Sequence, residues 1–215
     1  MNSGPAETNP AENANSGFIE KPEKPYVSRA GLKLAAALDA FGCDPTGWTC
    51  ADFGSNVGGF VDCLLRRGAS KIYAIDTGYG VLAWALRRDP RVIVMERTNA
   101  MFADLPEPVD LVTIDVAWTP QTRILPNAAR HLKPSGCIIS LIKPHYEADK
   151  SHKSHKSDKS PLDHGILPPE LAEATLQTVR SQIHDLGLSV EQVIESPIVG
   201  SGGNREYLAL IRPPS

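Results

Sequence analysis

The sequence predicts an α/β domain in which helices cover both faces of a mostly parallel sheet. Five apolar runs alternate with stretches of helical periodicity between residues 48 and 143, and this alternation is typical of a doubly wound sheet. The runs are almost continuously apolar, as expected of strands that are buried on both faces. Two later apolar runs flank a glycine-rich turn at residues 200–204, which favours an antiparallel hairpin at one side of the sheet.

The first half of the domain is predicted from apolar spacing and from helix stop signals. Leu34, Leu38 and Phe41 recur on one helical face before Gly42, so we expect a helix there with Ser28 as its N-cap. The next two helices, at residues 60–67 and 82–88, end before a glycine and a proline, which are common helix stops. The strands of this half are expected at residues 48–53, 71–76 and 91–96.

The second half continues the alternation. A strand at 110–116 and a helix at 121–132 lead to a proline-serine-glycine turn at 134–136, which introduces a fifth strand at 137–143. Further along the chain, apolar positions at helical spacing predict a long helix. The remaining elements are a helix at 170–186 and the hairpin strands at 188–196 and 205–211.

The amino-acid composition indicates which broad class of protein this is. The 215 residues are 41% hydrophobic and 22% charged with a net charge of −3, which describes one globular domain whose surface as a whole does not attract nucleic acid. No apolar run reaches the roughly 18–20 residues of a membrane span, and no signal pattern opens the chain, so we expect a cytoplasmic protein. The four cysteines form no C-x-x-C pair and are expected to be buried free thiols, and no metal is expected.

Two segments are expected to lack stable structure. Residues 1–25 are rich in Asn, Ala, Glu, Gly and Pro, which predicts a disordered tail before a domain at 26–215. Residues 149–160 contain no apolar residue, so a flexible, mostly basic loop is expected at about 148–162. Its Ser-His-Lys repeat has no carboxylates or cysteines at fixed spacing, which favours a solvated loop over a metal site.

An acidic, glycine-rich turn follows the first predicted strand. Asp52 and Gly54 precede Gly58 and Gly59, so both the G-x-G-x-x-G spacing of dinucleotide sites and the Gly-Lys-Ser/Thr of a P-loop are absent. An acid at this place would repel a pyrophosphate but suits an amine. Asp76 ends the second strand and could accept hydrogen bonds from two ribose hydroxyls. The pattern favours S-adenosylmethionine, with two ordinary strand-end carboxylates as the alternative.

We expect the cofactor to be held by the residues of this turn and of the neighbouring strand ends. Glycines let the backbone approach a ligand closely, and the first N–H groups of the following helix point at it. The expected cofactor residues are Asp52, Gly54, Ser55, Gly58, Gly59, Phe60, Asp76, Thr77, Asn99 and Asp115.

A series of short motifs resembles the TlyA family of FtsJ-like methyltransferases. Residues 26–34 (Tyr-Val-Ser-Arg-Ala-Gly-Leu-Lys-Leu) resemble the segment that opens the family's methyltransferase domain, and further motifs follow in the family's order at 52–60, 96–99, 143–147 and 203–206. The resemblance implies a Rossmann-like fold with a seven-stranded sheet, order 3-2-1-4-5-7-6, and an antiparallel last strand. It also implies S-adenosyl-L-methionine as cofactor and RNA, most obviously ribosomal RNA, as substrate.

The resemblance further implies a catalytic Lys-Asp-Lys-Glu set, which falls on Lys33, Asp115, Lys143 and Glu206. A ribose 2′-hydroxyl is a weak acid, so it needs alignment and a proton acceptor, and Lys143 is expected to orient or deprotonate it. Only a neutral lysine is a base, and the Lys33 ammonium nearby would favour that form. Asp115 is expected to orient Lys143, and Glu206 to hold the second lysine or balance charge. An ion-pair network without a catalytic role is the alternative.

The sequence also departs from the family pattern. We expect no counterpart of the N-terminal RNA-binding domain that TlyA proteins usually carry, and residues 117–119 and 145–146 differ from the usual motifs. A non-catalytic RNA- or partner-binding protein on this fold and a small-molecule methyltransferase therefore stay open. Trp84 and Trp118 could stack on a base or simply pack. Two interpretations stay open for the remaining basic residues: they contact RNA phosphates, or they form a solvated face. These residues are the basic loop and Arg29, Arg66, Arg67, Arg87 and Arg88.

Overall fold

The computed structural model describes Met1 and residues 26–148 and 166–214. The expected tail at 1–25, apart from Met1, and nearly all of the expected loop at 148–162 lie outside these residues. In chain order the elements are α1 (Ala30–Phe41), β1 (Thr49–Phe53), α2 (Gly59–Arg66), β2 (Lys71–Ile75), α3 (Trp84–Arg87), β3 (Val92–Met95), β4 (Val109–Ile114), α4 (Gln121–Arg130), β5 (Leu132–Ile142), α5 (Pro144–Ala148), α6 (Pro169–Asp185), β6 (Ser189–Glu195) and β7 (Tyr207–Arg212).

The strands form one sheet in the order β3-β2-β1-β4-β5-β7-β6. Strands β1 to β5 pair in parallel, and β7 runs antiparallel to both β5 and β6. The predicted fold class, strand order and late hairpin are therefore confirmed. The carboxyl ends of β1, β2, β4 and β5 and the start of β7 share one edge, where open α/β sheets bind their ligands.

Apolar side chains alternate between the two faces of the sheet, and each face is covered. On one face Leu38 of α1 and Leu64 of α2 pack with Ile72 of β2. On the other face Ile124 of α4 and Ile183 of α6 pack in the same cluster as the strand residues. Burial on both faces explains why the strands are nearly continuous apolar runs.

Three local predictions differ from the structure. Helix α1 begins at Ala30 with Arg29 at its N-cap and no side-chain cap, so the predicted Ser28 cap is wrong; the Ser28 carbonyl instead accepts the Gly31 N–H. The predicted turn at 134–136 lies inside β5, where the register against β4 shifts. Helix α5 is absent from the predicted elements, because its five residues are too few to show helical apolar spacing, although a proline is favoured at the first position of a helix.

Two further expectations concern the cysteines and the membrane. All four cysteines are buried free thiols, as predicted. Among the helices of the described residues, none combines the length and the apolarity that crossing a bilayer requires.

Candidate active site

The glycine turn after β1 is shaped by a close backbone approach. Gly54 has a φ of 89°, and a Cβ on it would lie 2.6 Å from the backbone oxygen of Asp115, so only glycine fits there. The N–H groups of Gly54 and Ser55 both donate to the carbonyl of Ile75, at 2.9 and 3.0 Å. The turn thereby holds the ends of β1, β2 and β4 together.

Asp52 lies beneath this turn and is only 1% exposed. Its Oδ1 accepts a hydrogen bond from the Thr113 hydroxyl at 2.7 Å, whereas its Oδ2 has no partner among the described residues. Burial raises the pKa of Asp52 to about 7. The negative charges of Asp115 and Asp76 also raise this pKa, whereas the hydrogen bond from Thr113 lowers it. A buried carboxylate oxygen without a donor is suited to accept one from a ligand, such as an ammonium group.

A small cavity of about 70 Å³ separates Asp52 from the start of α2. The first N–H groups of a helix have no partner within it, so those of α2 are available to a ligand at this place. Gly58 does not line the cavity. A Cβ on Gly58 would lie 2.3 Å from Leu86 Cδ1, so this glycine lets α3 pack closely instead. The cavity is lined by Ser28, Ala30, Asp52, Gly54, Ser55, Asn56, Val57, Gly59, Phe60 and Asp115.

A larger cleft of about 460 Å³ opens at the ends of β2, β3 and β4, and it shares Gly54, Asn56 and Asp115 with the small cavity. Asp76, Thr77 and Asn99, three of the residues that the sequence predicts to hold the cofactor, line it. Its apolar lining includes Ile75, Met101 and Ile124. All ten predicted cofactor residues except Gly58 thus line one of two adjoining cavities.

The Asp76 carboxylate is held rigidly at the mouth of the larger cleft. Its Oδ2 accepts the N–H of Asn56 at 2.8 Å, and its Oδ1 accepts the N–H of Gly78 at 2.7 Å. Each carboxylate oxygen has a second lone pair. Asp76 can therefore still accept hydrogen bonds from ligand hydroxyls.

The four residues of the predicted catalytic set form two ion pairs. Lys143 Nζ lies 2.6 Å from Asp115 Oδ1 and donates to the Val116 carbonyl at 3.3 Å. Lys33 Nζ contacts Glu206 Oε2, so Glu206 holds Lys33 and not Lys143. All four side chains are mostly buried. Asp115 also lines both cavities, which places the Lys143 pair directly beside the cleft.

Three aromatic rings lead from Lys143 to the surface. The His145 ring lies 4.1 Å from that of Tyr146, and Tyr146 lies 4.4 Å from Trp118. Trp118 is 73% exposed and has a φ of 62°, which is uncommon for a bulky residue. Burial lowers the pKa of His145; the charge of Lys143 also lowers this pKa, whereas that of Glu206 raises it. The Nδ1 atom of His145 has no hydrogen-bond partner among the described residues.

The structure shows which of the tryptophans and arginines considered in the sequence analysis are exposed and which form ion pairs. Trp84 and Trp118 are both largely exposed, so the interpretation that they simply pack is wrong. Three of the five arginines form local ion pairs: Arg66 with Asp62, Arg67 with Asp39, and Arg87 with Glu96. Within the described residues, no cluster of side chains is suited to hold a metal ion.

Comparison with known proteins decides the family. The model of the FtsJ-like methyltransferases matches residues 26–212. The chain belongs to the FtsJ-like methyltransferase family. This FtsJ-like chain is 37% identical over 195 residues to the 16S/23S rRNA (cytidine-2′-O)-methyltransferase TlyA of Mycobacterium tuberculosis, covering 88% of the chain and 69% of the relative.

Two further relatives agree with this placement. The 23S rRNA (cytidine-2′-O)-methyltransferase TlyA of Campylobacter jejuni is 34% identical over 185 residues, which are 85% of this chain and 69% of the relative. A solved structure described as a hemolysin of Streptococcus thermophilus is 35% identical with a TM-score of 0.79, covering 90% of this chain and 70% of the other. The family resemblance predicted from the sequence motifs is thus confirmed.

Proposed function

We propose that this FtsJ-like protein is an S-adenosylmethionine-dependent RNA methyltransferase that methylates a ribose 2′-hydroxyl of ribosomal RNA. One observation carries the proposal: the Lys143–Asp115 ion pair stands at the edge of the cleft, and Asp115 belongs to both. The named activities of the two TlyA relatives support RNA as substrate and the 2′-hydroxyl as acceptor.

The residues around the two cavities fit S-adenosylmethionine. The free Oδ2 of Asp52 and the first N–H groups of α2 would hold the amino-acid end in the small cavity. Asp76 would accept the ribose hydroxyls, and the apolar lining of the larger cleft would accommodate adenine. Bound there, the cofactor supplies an electrophilic methyl group. The pocket holds no cluster of basic residues that would favour a phosphate instead, since its charged lining consists of carboxylates.

Lys143 is the residue that handles the acceptor hydroxyl. Its contacts with Asp115 and the Val116 carbonyl fix Nζ beside the cleft, so it can orient the hydroxyl oxygen. Asp115 stabilises the ammonium form of Lys143, which can orient the hydroxyl by a hydrogen bond. A Lys143 that has first given a proton to solvent can accept the hydroxyl proton, and it is then an ammonium beside Asp115 again. Positioning of this kind supplies a large share of the barrier reduction in a bimolecular transfer.

The Lys33–Glu206 pair has a different task. Glu206 stands immediately before β7, and Lys33 lies in the first turn of α1, so their contact joins two distant parts of the chain at the sheet edge. The pair is nearly excluded from solvent. We assign to it the task of holding α1 against the start of β7, with balanced charge at that place.

Trp118 is placed to receive the target base. Its ring is exposed and lies tilted against that of Tyr146, which lies near Lys143. Single-stranded RNA is commonly recognised by bases that stack on aromatic side chains. A base on Trp118 would bring its own ribose towards Lys143.

The proposal is tested by transfer of labelled methyl groups to ribosomal subunits that lack the modification. The wild-type chain should label the RNA, and Lys143→Ala should be slower by about 100-fold or more, the usual contribution of a positioned proton acceptor. Thermal stabilisation by S-adenosylmethionine should be equal in both. Full activity of Lys143→Ala would overturn the assignment. Labelling of small molecules only would favour a small-molecule methyltransferase, and cofactor binding without transfer would favour a binding protein.

A further inference from the structure

A second exposed surface lies beside the cofactor cleft and takes no part in the site described above. It consists of two aromatic residues, each paired with an arginine, and is called here the α3 surface: Tyr79, Trp84, Arg88 and Arg97. Both rings are 70% exposed. The guanidinium carbon of Arg97 lies 4.2 Å from the centroid of Tyr79, and that of Arg88 lies 5.9 Å from Trp84.

The α3 surface is one connected patch. Gly80, beside Tyr79, donates its N–H to Glu96 Oε1 at 2.9 Å, and the same oxygen contacts Arg87 of α3. The Arg97 N–H donates to the Gly78 carbonyl at 3.1 Å. The loop after β2, helix α3 and the end of β3 are therefore tied together, so that both aromatic–arginine pairs are presented in fixed relation.

The positive charge of this patch is not neutralised locally. Arg87 is paired with Glu96. Arg88 and Arg97, in contrast, lie over aromatic rings, and neither has a carboxylate within ion-pair distance among the described residues. Two largely exposed aromatic rings on one face, each beside an arginine that has no carboxylate partner, offer stacking surface and positive charge together, and this combination suits a nucleic acid.

We propose that the α3 surface binds an unpaired stretch of the substrate RNA next to the target nucleotide, an inference that rests on the proposed function. Nucleobases stack on Trp84 and Tyr79, while phosphates contact Arg88 and Arg97. The position suits this task, because Thr77, Val81 and Asn99 of the same loops line the cofactor cleft. RNA is favoured over a protein partner by the two guanidinium groups that no carboxylate neutralises, because the aliphatic side chains beside the rings, Val81 and Ile93, are only 40% and 39% exposed.

The inference is tested by the binding of a fluorescein-labelled single-stranded RNA of about 20 nucleotides, long enough to cross a typical single-strand site. Trp84→Ala should weaken binding about 5- to 100-fold, the range expected from the loss of one stacked base, and Trp84→Phe should retain most of the affinity. Arg88→Ala should reduce the slope of log K against log salt by about 0.7. The matched control is Arg180→Ala, an exposed arginine of α6 at the far side of the sheet, which should bind as the wild type does.

Two further readouts separate this inference from the proposed function. The α3 variants should keep their thermal stabilisation by S-adenosylmethionine, and with ribosomal subunits they should raise KM for RNA more than they lower kcat. If the wild type methylates no RNA, the proposed function fails, yet RNA binding still tests the surface. Equal RNA binding by the wild type and Trp84→Ala, or no binding by the wild type, would overturn the inference. So would a change in oligomeric state caused by Trp84→Ala, which would assign the surface to contact between copies.

Discussion

Replacement of Asp52 by asparagine should stabilise the ligand-free protein at alkaline pH and abolish cofactor binding. The wild-type carboxylate is buried, and its Oδ2 has no hydrogen-bond donor among the described residues. Its pKa is raised from 3.8 to about 7 in the folded protein. The folded state therefore binds the proton more tightly than the unfolded state, so the free energy of unfolding falls as the pH rises from about 4 to about 7.

The size of the effect follows from the shift. About three pKa units correspond to about 4 kcal/mol of lost stability once the pH exceeds the folded-state value. Asparagine is isosteric and removes this charge penalty, while its Oδ1 can still accept from Thr113. Its buried amide would have an unsatisfied N–H₂ where Oδ2 stood, at a cost of about 1–3 kcal/mol. The net gain at about pH 8 is therefore about 1–3 kcal/mol, and it disappears or reverses at about pH 5.

Urea unfolding of both proteins at several pH values measures this difference directly, because contributions from groups that do not interact with Asp52 cancel between them. Added S-adenosylmethionine should raise the midpoint of the wild type and leave that of Asp52→Asn unchanged, since the ammonium group loses its carboxylate. Parallel stability profiles of the two proteins across the pH range would refute the reasoning about Asp52. Equal stabilisation of both by the cofactor would refute its binding role.

Three further predictions concern the site. Gly54→Ala should lower the free energy of unfolding in urea by about 2–4 kcal/mol, because its φ of 89° and the Asp115 oxygen 2.6 Å from the new Cβ both oppose a side chain; a loss below about 0.5 kcal/mol would contradict this close approach. Glu206→Gln should cost about 3–5 kcal/mol by leaving Lys33 buried and unpaired, whereas Lys33→Met with Glu206→Leu should cost much less. Equal losses in that single and double variant would argue against a buried pair. Asp76→Ala should fold yet show no thermal shift with S-adenosylmethionine, and an unchanged shift would remove Asp76 from the cofactor site.

The sheet could be predicted from the sequence because its signal is local. Strands buried on both faces are apolar runs, and helices between them end at Gly42, Gly68 and Pro90. The details that failed depend on tertiary context. Ser28 has the chemistry of an N-cap, yet the helix starts later. Pro144 opens a helix of five residues, which is too short for apolar spacing to reveal.

The sequence predicts the positions of site residues that stand at strand ends, but it does not predict contacts that depend on the packing of distant elements. Asp52 and Asp76 follow from the order of strands alone. Gly58 carries the same glycine signal as Gly54 but faces α3, which only the packed structure reveals. The contact of Lys33 with Glu206 joins residues 173 positions apart, and no local pattern specifies such a partner. The proximity of His145 to Glu206 likewise arises from the fold and not from a local pattern.

The central claim is methyl transfer to a ribose 2′-hydroxyl, and the chemical position of the label tests it most directly. Ribosomal subunits from cells without this protein are incubated with the wild-type chain and labelled S-adenosylmethionine, and the RNA is then digested to nucleosides. The account predicts label in a 2′-O-methylnucleoside, with none above background when Lys143→Ala replaces the wild type. Label on a base or on ribosomal protein, or equal 2′-O-label with Lys143→Ala, would contradict it.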